Sequence, residues 1–222
     1  MQHGDFWVVL PIRGIAVGKT RLAPKLDEAA RKRLNRWLVE RTFDVIAAWR
    51  GSLARCVVVS RDAEVHAMAS ARGAPVVCEI DARSDQNRSA SVGMEYAAQR
   101  GAARAMLLPT DLPEMTPDAL SELVCDAARE RHMTIAPDNA GTGTNAVVLD
   151  ARAHHGLCFG PDSFPRYLEW AKREGWTVSV CRRRELTFDL DTPDDWSDFI
   201  HATADSICAD GLPSVACAAS VG

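Results

Sequence analysis

The hydrophobic positions of this chain fall into short continuous runs that alternate with longer segments of mixed polarity. Apolar runs at residues 6–10, 55–60, 75–80 and 105–108 are bounded by turn-forming residues, which predicts four buried strands. Between them, apolar side chains recur at helical spacing among charged ones. Because strand, loop and helix alternate in this way, we predict a single-domain α/β fold, a Rossmann-like, mostly parallel sheet with helices on both faces.

The helices of the first half carry end signals. Asp27 is suited to cap the N-terminus of the first helix, and Thr116 with Pro117 opens the fourth, since threonine caps well and proline suits the first helical position. A polar segment, 81–91, leads into the third helix. The predicted helices cover 27–49, 62–72, a stretch ending near Gly101, and 117 to about 131.

The second half is less regular. Its predicted strands cover 133–137, 146–150, 177–181 and 186–190. Ser163 is expected to cap a helix that runs to Gly175, and Thr192 with Pro193 opens the last helix. From about residue 205 the chain consists mostly of small residues without helical or strand periodicity. We therefore expect a domain over 1–204 and poor order over 205–222.

Composition narrows the class of protein. At 222 residues with 47% hydrophobic content, the chain can bury one substantial core. A net charge of −4 provides no global field for nucleic acid, which excludes it as an expected partner. Seven widely spaced cysteines without a C-x-x-C pair favour reduced thiols. No stretch approaches the ~20 apolar residues of a membrane helix and no signal peptide is evident, so we expect a cytoplasmic protein without membrane contact.

A basic loop follows the first predicted strand. Arg13, Lys19, Arg21 and Lys25 lie within the segment LPIRGIAVGKTRLAPKL, which also contains two glycines. Positive charge and open backbone after a buried strand favour a ligand that carries phosphate. The alternative is a solvated loop with ordinary surface charges.

This loop does not match a P-loop. In the pattern G-x-x-x-x-G-K-[ST], the first glycine stands one residue further from the second than Gly14 stands from Gly18. Pro24 would also break the helix that should follow Lys19. We therefore predict an extended basic arm over a nucleotide and not a tight phosphate cradle.

Three carboxylates are candidates for a metal site. Asp111 ends the fourth strand within PTDLP, and Asp189 and Asp191 lie just before the last helix. Carboxylate oxygens, completed by water and phosphate, are the usual ligands of nucleotide-bound magnesium. The alternatives are a turn-forming role for Asp111 and a helix-capping role for Asp191.

Two further loops could bind a small ligand. The segment 141–145, GTGTN, offers open backbone, two hydroxyls and an amide, although a plain turn between strands explains it as well. Gly160 and Ser163 belong to FGPDSF, directly before a predicted helix. Free N–H groups at that helix N-terminus could hold a phosphate or carboxylate beside the serine hydroxyl, or the serine could serve only as a cap.

Together these motifs resemble a known family. LPIRGIAVGKTRLAP, PTDLP, IAPDNAGTGTNAVVL, FGPDSF and LTFDLDTPDDW, in this order along most of the chain, are similar to the CofC/FbiD guanylyltransferases of coenzyme F-420 biosynthesis. The resemblance implies a nucleotidyltransferase with a glycosyltransferase-A-like α/β fold. It further implies GTP as donor, a phosphorylated three-carbon acid as acceptor, Mg²⁺ as cofactor and pyrophosphate as product. The enzyme that consumes the guanylylated product is a further partner that we expect.

The resemblance also implies roles for single residues. Thr144, Gly160 and Ser163 match the positions that hold the acceptor, and Asp111 and Asp191 match the metal carboxylates. The match leaves open whether Asp189 shares or replaces the role of Asp191.

A basic arm over the triphosphate is implied as well. Lys19 and Arg21 match this arm, and with Asp111 we assign them a catalytic role. Relatives often have lysine and proline where this chain has Arg13 and Gly14, so the contact at Arg13 is open. We assign the nucleotide site to Pro11, Arg13, Gly14, Lys19, Arg21 and Asn87.

Alternatives remain for the function. The chain could be another nucleotidyltransferase of this fold, acting on a sugar phosphate or a molybdopterin, or a nucleotide-binding module without turnover. The acceptor could be 2-phospho-L-lactate, phosphoenolpyruvate or 3-phospho-D-glycerate. A composition rich in alanine and arginine suggests a bacterial chain, which in this family favours the latter two.

Overall fold

A computed structural model describes residues 6–78, 85–126 and 129–203. Within these ranges, seven strands form one sheet in the order β3-β2-β1-β4-β6-β5-β7. The strands are β1 Phe6–Pro11, β2 Cys56–Ser60, β3 Val76–Cys78, β4 Arg104–Leu107, β5 His132–Pro137, β6 Thr144–Asp150 and β7 Thr177–Val180. Only β6 runs antiparallel to its neighbours among these strands, so the predicted mostly parallel sheet is confirmed.

Helices connect the strands on both faces of the sheet. They are α1 Glu28–Arg50, α2 Ala63–Ala71, α3 Gln86–Gln99, α4 Pro117–Leu123, α5 Ser163–Glu174, α6 Arg184–Thr187 and α7 Pro193–Thr203. Asp27 caps α1 by accepting from the Ala30 N–H, and Thr116 caps α4 in the same way through Ala119, as predicted.

Strand β1 divides the core into two layers, because successive side chains of a strand point to opposite faces. Val8 and Leu10 pack in the cluster that contains Phe43 of α1 and much of α4. Trp7 and Val9 pack in the other cluster, with residues of α3 and α5. The helices therefore cover both faces.

A third apolar cluster lies beside the carboxyl ends of the strands. Leu22 and Leu26 of the basic loop pack with residues from the first half of α1. Leu190 and Trp196, from the region around the start of α7, complete the cluster. Two segments far apart in the sequence are thereby held together on one side of the sheet.

Several element boundaries differ from the prediction. Helix α4 ends at Leu123, where its apolar residues are already buried, and Arg131 has a left-handed backbone (φ 49°) just before β5. Helix α3 begins at Gln86, inside the segment predicted to be polar linker, because Asp85 caps it through the Arg88 N–H. The predicted disorder of 205–222 lies outside the described residues.

The predicted strand over 186–190 is wrong. Alternating Leu186, Phe188 and Leu190 resemble a strand, but residues 184–187 form the short helix α6. Leu186 packs in the core cluster on one face of the sheet, whereas Phe188 and Leu190 pack in the third cluster. The alternation therefore reflects burial in two different clusters and not pairing in the sheet.

Candidate active site

A cavity of about 230 Å³ opens at the carboxyl ends of β1 and β4. In a parallel sheet this is the edge where ligands bind. It is lined by the end of β1 and the basic loop, the first turn of α3, one stripe of α1 and the segment after β4. The polar and charged lining residues include Arg13, Lys19, Asn35, Gln86, Ser89, Thr110, Asp111 and Asp191.

Lys19 joins two of the predicted metal carboxylates. Its Nζ lies 2.6 Å from Asp191 Oδ1 and 3.2 Å from Asp111 Oδ2, with the lysine side chain only 8% exposed. Burial disfavours its charged form, but the two carboxylates outweigh that effect and raise the pKa of Lys19 above its ordinary value. Lys19 has a left-handed backbone (φ 52°).

Backbone contacts bring the two carboxylates together. The Leu190 N–H donates to the backbone oxygen of Asp111 at 3.0 Å. After Asp191, Thr192 and Asp195 cap α7 reciprocally, with the Thr192 N–H donating to Asp195 Oδ2 at 2.6 Å and the Asp195 N–H donating to Thr192 Oγ1 at 3.2 Å. Asp195 therefore serves as the capping carboxylate, and the Asp191 carboxylate points to Lys19.

Asp189 adds a third carboxylate to this region. Burial raises its pKa, with further contributions from the charges of Asp111 and Asp191, to about 6. Asn145 Nδ2 lies 3.4 Å from Asp189 Oδ1 and also donates to the backbone oxygens of Leu186 and Thr187, both at 3.1 Å. The sequence suggested that the Asn145 amide faces a ligand, but this amide group holds the segment that carries Asp189.

The arrangement fits a divalent cation. The described residues contain no group of three or more histidine, cysteine or acidic side chains in metal-holding geometry. However, Asp111 and Asp191 converge on one positive charge, the Lys19 ammonium. A magnesium ion held by two carboxylates, with water and phosphate as its other ligands, needs the same convergence.

The basic loop is held by two side chains that the sequence did not single out. Asp62 Oδ2 accepts from the Ile15 N–H at 2.8 Å, and a Cβ on Gly14 would lie 2.8 Å from the same oxygen. Asn35 of α1 donates to the backbone oxygens of Ile15 and Val17 at 3.0 and 3.3 Å. The local sequence around Asp62 predicts only its capping of α2, where it accepts from the Glu64 N–H. No local pattern marks the contact of either residue with the basic loop.

The structure brings most of the predicted nucleotide residues to the cavity. Pro11, Arg13 and Gly14 line it beside Lys19. Arg21 is exposed and is not a lining residue. Gln86 and Ser89, which the sequence analysis missed, contribute from the first turns of α3.

Asn87 does not line the cavity. Its Oδ1 accepts from the Phe159 N–H at 2.7 Å and its Nδ2 donates to the Phe159 backbone oxygen at 3.1 Å. The Asn87 amide is thus paired with the loop that contains Gly160. Its assignment to the nucleotide stays a prediction.

The three predicted acceptor residues lie at or beside two joined loops: Thr144 begins β6, Gly160 lies in the loop before α5, and Ser163 begins α5. The Phe164 N–H donates to the Thr142 backbone oxygen at 3.0 Å, which ties the Gly160 loop to the loop before β6. Thr144 Oγ1 is buried and has no hydrogen-bond partner among the described residues. Gly160 has a positive φ of 115°, with open space where a Cβ would stand. A buried, unpaired hydroxyl is suited to a small polar ligand.

Ser163 does not cap helix α5, contrary to the sequence prediction. Asp162 is the N-cap, with a left-handed backbone (φ 52°) and no side-chain capping bond, and Ser163 is the first helical residue, only 1% exposed. The N–H groups of Ser163 and Phe164 already donate to backbone oxygens, and Pro165 has none. The first turn therefore lacks the free N–H groups that we expected there.

Comparison with known proteins identifies the family. The sequence pattern described as "Guanylyl transferase CofC like" matches residues 6–216. The chain belongs to this CofC-like guanylyl transferase family. It is 34% identical over 190 residues to a phosphoenolpyruvate guanylyltransferase of Rubrobacter xylanophilus, covering 85% of this chain and 90% of that protein. It is 30% identical over 192 residues to a 2-phospho-L-lactate guanylyltransferase of Methanothermobacter thermautotrophicus, covering 86% and 82%.

Solved structures support the fold of this CofC-like chain. A nucleotidyl transferase from M. thermautotrophicus has a TM-score of 0.66 at 15% identity, covering 91% of this chain and 99% of that one. A cytidylyltransferase from Leptospira borgpetersenii has a TM-score of 0.60 at 11% identity, covering 91% and 88%. The glycosyltransferase-A-like nucleotidyltransferase fold is thus confirmed. In the part of the chain that the structure describes, no helix is long and apolar enough to span a bilayer.

Proposed function

We propose that this protein transfers GMP from GTP to the phosphate of a three-carbon phospho-acid and releases pyrophosphate, in the cytoplasm and in coenzyme F-420 biosynthesis. The contact of Lys19 with both Asp111 and Asp191 at the cavity carries the proposal, because it places a cation suited to phosphate between two carboxylates suited to Mg²⁺. The names of the relatives support a three-carbon acceptor. We favour 3-phospho-D-glycerate or phosphoenolpyruvate over 2-phospho-L-lactate.

The chemistry needs no general base from the protein. An acceptor phosphate has its second pKa at about 6 and is mostly ionised at neutral pH, so its oxygen can attack the α-phosphorus of GTP directly. The new P–O bond forms as the bond from the α-phosphorus to the bridging oxygen breaks, and pyrophosphate leaves with that electron pair. The work of the chain is therefore alignment and charge neutralisation.

Named side chains supply these two functions. Lys19, released from its carboxylate partners, neutralises the leaving pyrophosphate, with Arg21 as the exposed second cation of the same arm. Asp111 and Asp191 would hold Mg²⁺. Asp189 lies near enough to both for their charges to contribute to its raised pKa. The bound ion would neutralise phosphate oxygens. The Thr144 hydroxyl is free to donate to the acceptor.

Pyrophosphate release tests this proposal. The purified protein with GTP, Mg²⁺ and each of the three acids in turn should release pyrophosphate and form a guanylylated acid, detected by mass spectrometry. GTP should support more turnover than ATP or CTP, since the family is described as guanylyl transferases. Turnover only with a sugar phosphate or a molybdopterin, or none with any acceptor, would contradict it.

The product joins two phosphates in an activated anhydride. We propose that the enzyme that consumes this product binds the protein or receives the product from it directly. Faster consumption of the product when both enzymes are mixed than when it is added from solution would support this transfer, and equal rates would contradict it.

A further inference from the structure

The Asn87 side chain forms a two-point pairing with the backbone of Phe159. One end of the amide accepts at 2.7 Å and the other donates at 3.1 Å, so both of its polar ends are engaged. The two residues lie 72 positions apart in the chain. An asparagine amide reproduces the donor and acceptor pair of a peptide group, and neither a carboxylate nor a hydroxyl of similar size does so.

The loop that Asn87 holds has an uncommon backbone. Gly160 has φ 115° and Asp162 has φ 52°, directly before Ser163. A non-glycine residue at positive φ is strained and persists only when its surroundings fix it. On the other side of this loop, the Phe164 N–H donates to Thr142. Asn87 thus fixes the beginning of the loop and Thr142 fixes its end.

Helix α3 connects this loop to the nucleotide cavity. Gln86 and Ser89 of its first turns line the cavity, and Asn87 lies between them in the sequence. Close packing holds the helix in place, since a Cβ on Gly93 would lie 2.3 Å from Val9 Cγ1 of β1. The loop with Gly160 is therefore hydrogen-bonded to a helix that cannot shift easily against the sheet.

We infer that Asn87 is a positioning residue for the acceptor, which sets the place of Gly160 and Ser163 relative to the nucleotide without contacting the reacting atoms. This inference rests on the proposed function, because it takes the Gly160 loop as the acceptor site. Asn35 has the corresponding role for the nucleotide, since its amide holds the basic loop through Ile15 and Val17. Two asparagines on two helices thus hold the two substrate loops.

Hydrogen exchange of the two loops tests the contacts without any substrate. Asn87→Ala should accelerate amide exchange in the peptide 157–164 at least about threefold, because two hydrogen bonds are lost, and leave 13–19 unchanged. Asn35→Ala, the matched control, should accelerate 13–19 and leave 157–164 unchanged. Unchanged exchange of 157–164 in Asn87→Ala would overturn the inference.

Steady-state kinetics then separate the two substrates. Asn87→Ala should raise the acceptor KM by about tenfold, as expected for two modest hydrogen bonds, with the GTP KM changed less than about twofold. Asn35→Ala should show the reverse. A GTP KM that rises as much as the acceptor KM in Asn87→Ala would overturn the inference and favour direct nucleotide binding by Asn87.

Two further results keep the test decisive. If Asn87→Ala does not fold, Asn87→Asp retains the acceptor for the Phe159 N–H but loses the donor, and the same rise in acceptor KM is expected. If the wild-type protein transfers no GMP to any three-carbon acid, the proposed function fails. Hydrogen exchange still decides whether Asn87 holds the loop.

Discussion

Lys19 Nζ lies 2.6 Å from Asp191 Oδ1, between residues 172 positions apart in the chain. The same ammonium reaches Asp111 Oδ2 at 3.2 Å, with its side chain almost fully buried. One positive charge is therefore shared by two carboxylates at the edge of the sheet. Replacing Lys19 would leave two neighbouring carboxylates without their shared cation, whereas replacing either aspartate would leave the lysine paired with the other one.

Replacement of Asp111 tests the metal assignment. Asp111→Asn should reduce guanylyl transfer by at least about a hundredfold, because it removes a carboxylate from magnesium while the neutral amide keeps the same shape. The thermal midpoint should stay near that of wild type, since the Asp111 side chain is 30% exposed.

Asp118→Asn is the matched control for this variant. Asp118 is exposed in the first turn of α4, away from the cavity lining, and its loss should leave turnover unchanged. More than about a tenth of wild-type turnover in Asp111→Asn would sink the metal assignment.

Replacement of Lys19 separates its two contacts. Lys19→Met should reduce turnover by at least about a hundredfold, because a cation is lost from the leaving pyrophosphate. The same variant should bind Mn²⁺ more tightly than wild type in the absence of nucleotide, since the ammonium no longer occupies Asp111 and Asp191.

Electron paramagnetic resonance of free Mn²⁺ measures this affinity directly. We expect a dissociation constant at least about threefold lower than that of wild type. Lys25→Met, which removes an exposed lysine of the same loop, should leave the dissociation constant unchanged. Equal or weaker Mn²⁺ binding by Lys19→Met would show that the lysine and the metal do not share these carboxylates.

Ser163→Ala tests the acceptor site. The variant should raise the acceptor KM far more than the KM for GTP, because Ser163 directly follows the loop of Gly160 and does not line the nucleotide cavity. Initial rates over a matrix of both substrate concentrations give the two constants. If both rise together, the acceptor site has been misplaced.

Thr144→Val distinguishes a ligand contact from a structural one. Thr144 Oγ1 is buried without a hydrogen-bond partner in the described residues, so an isosteric methyl should leave the free energy of unfolding unchanged or slightly higher. The acceptor KM should nevertheless rise, by about tenfold for one lost hydrogen bond. An unfolding free energy that falls by more than about 1 kcal/mol would show that the hydroxyl stabilises the fold.

His132 predicts how stability depends on pH. Its side chain is 1% exposed, and this burial lowers its pKa from the ordinary 6.5. The charge of Asp126 raises the pKa in part, and the charges of Arg104 and Arg129 lower it further. Below pH 6.5 the unfolded chain therefore binds a proton that the folded chain does not. The contribution of His132 to stability is complete above that pH and is lost as the pH falls toward the lowered folded value.

Urea unfolding at pH 7.5 and pH 5.5 measures this effect. The loss of stability between the two should be smaller in His132→Gln than in wild type. Because the raised pKa of Asp189 acts in the opposite direction over part of this range, the comparison is made between variant and wild type at each pH. An identical loss in both proteins would exclude His132 as the titrating group.

Local patterns were sufficient for most of the fold. The apolar runs of β1 and β2 and the caps Asp27 and Thr116 act within a few residues, so the elements they predict are present. The order of the elements then implied a parallel sheet and the edge where Asp111 lies. The alternating apolar residues of 186–190 predicted a strand, but they are buried in two different clusters, so this periodicity was misleading.

The composition of the site was decided by tertiary contacts. The sequence by itself determined which residue types follow each strand, including Lys19 and the three carboxylates, and the family to which the motifs belong. Only the tertiary structure decided that Lys19 contacts Asp111 and Asp191 together and that the Asn87 amide holds Phe159. These contacts join residues 72 to 172 positions apart. They depend on packing of whole elements on the sheet, which no local pattern of hydrophobic and polar residues encodes.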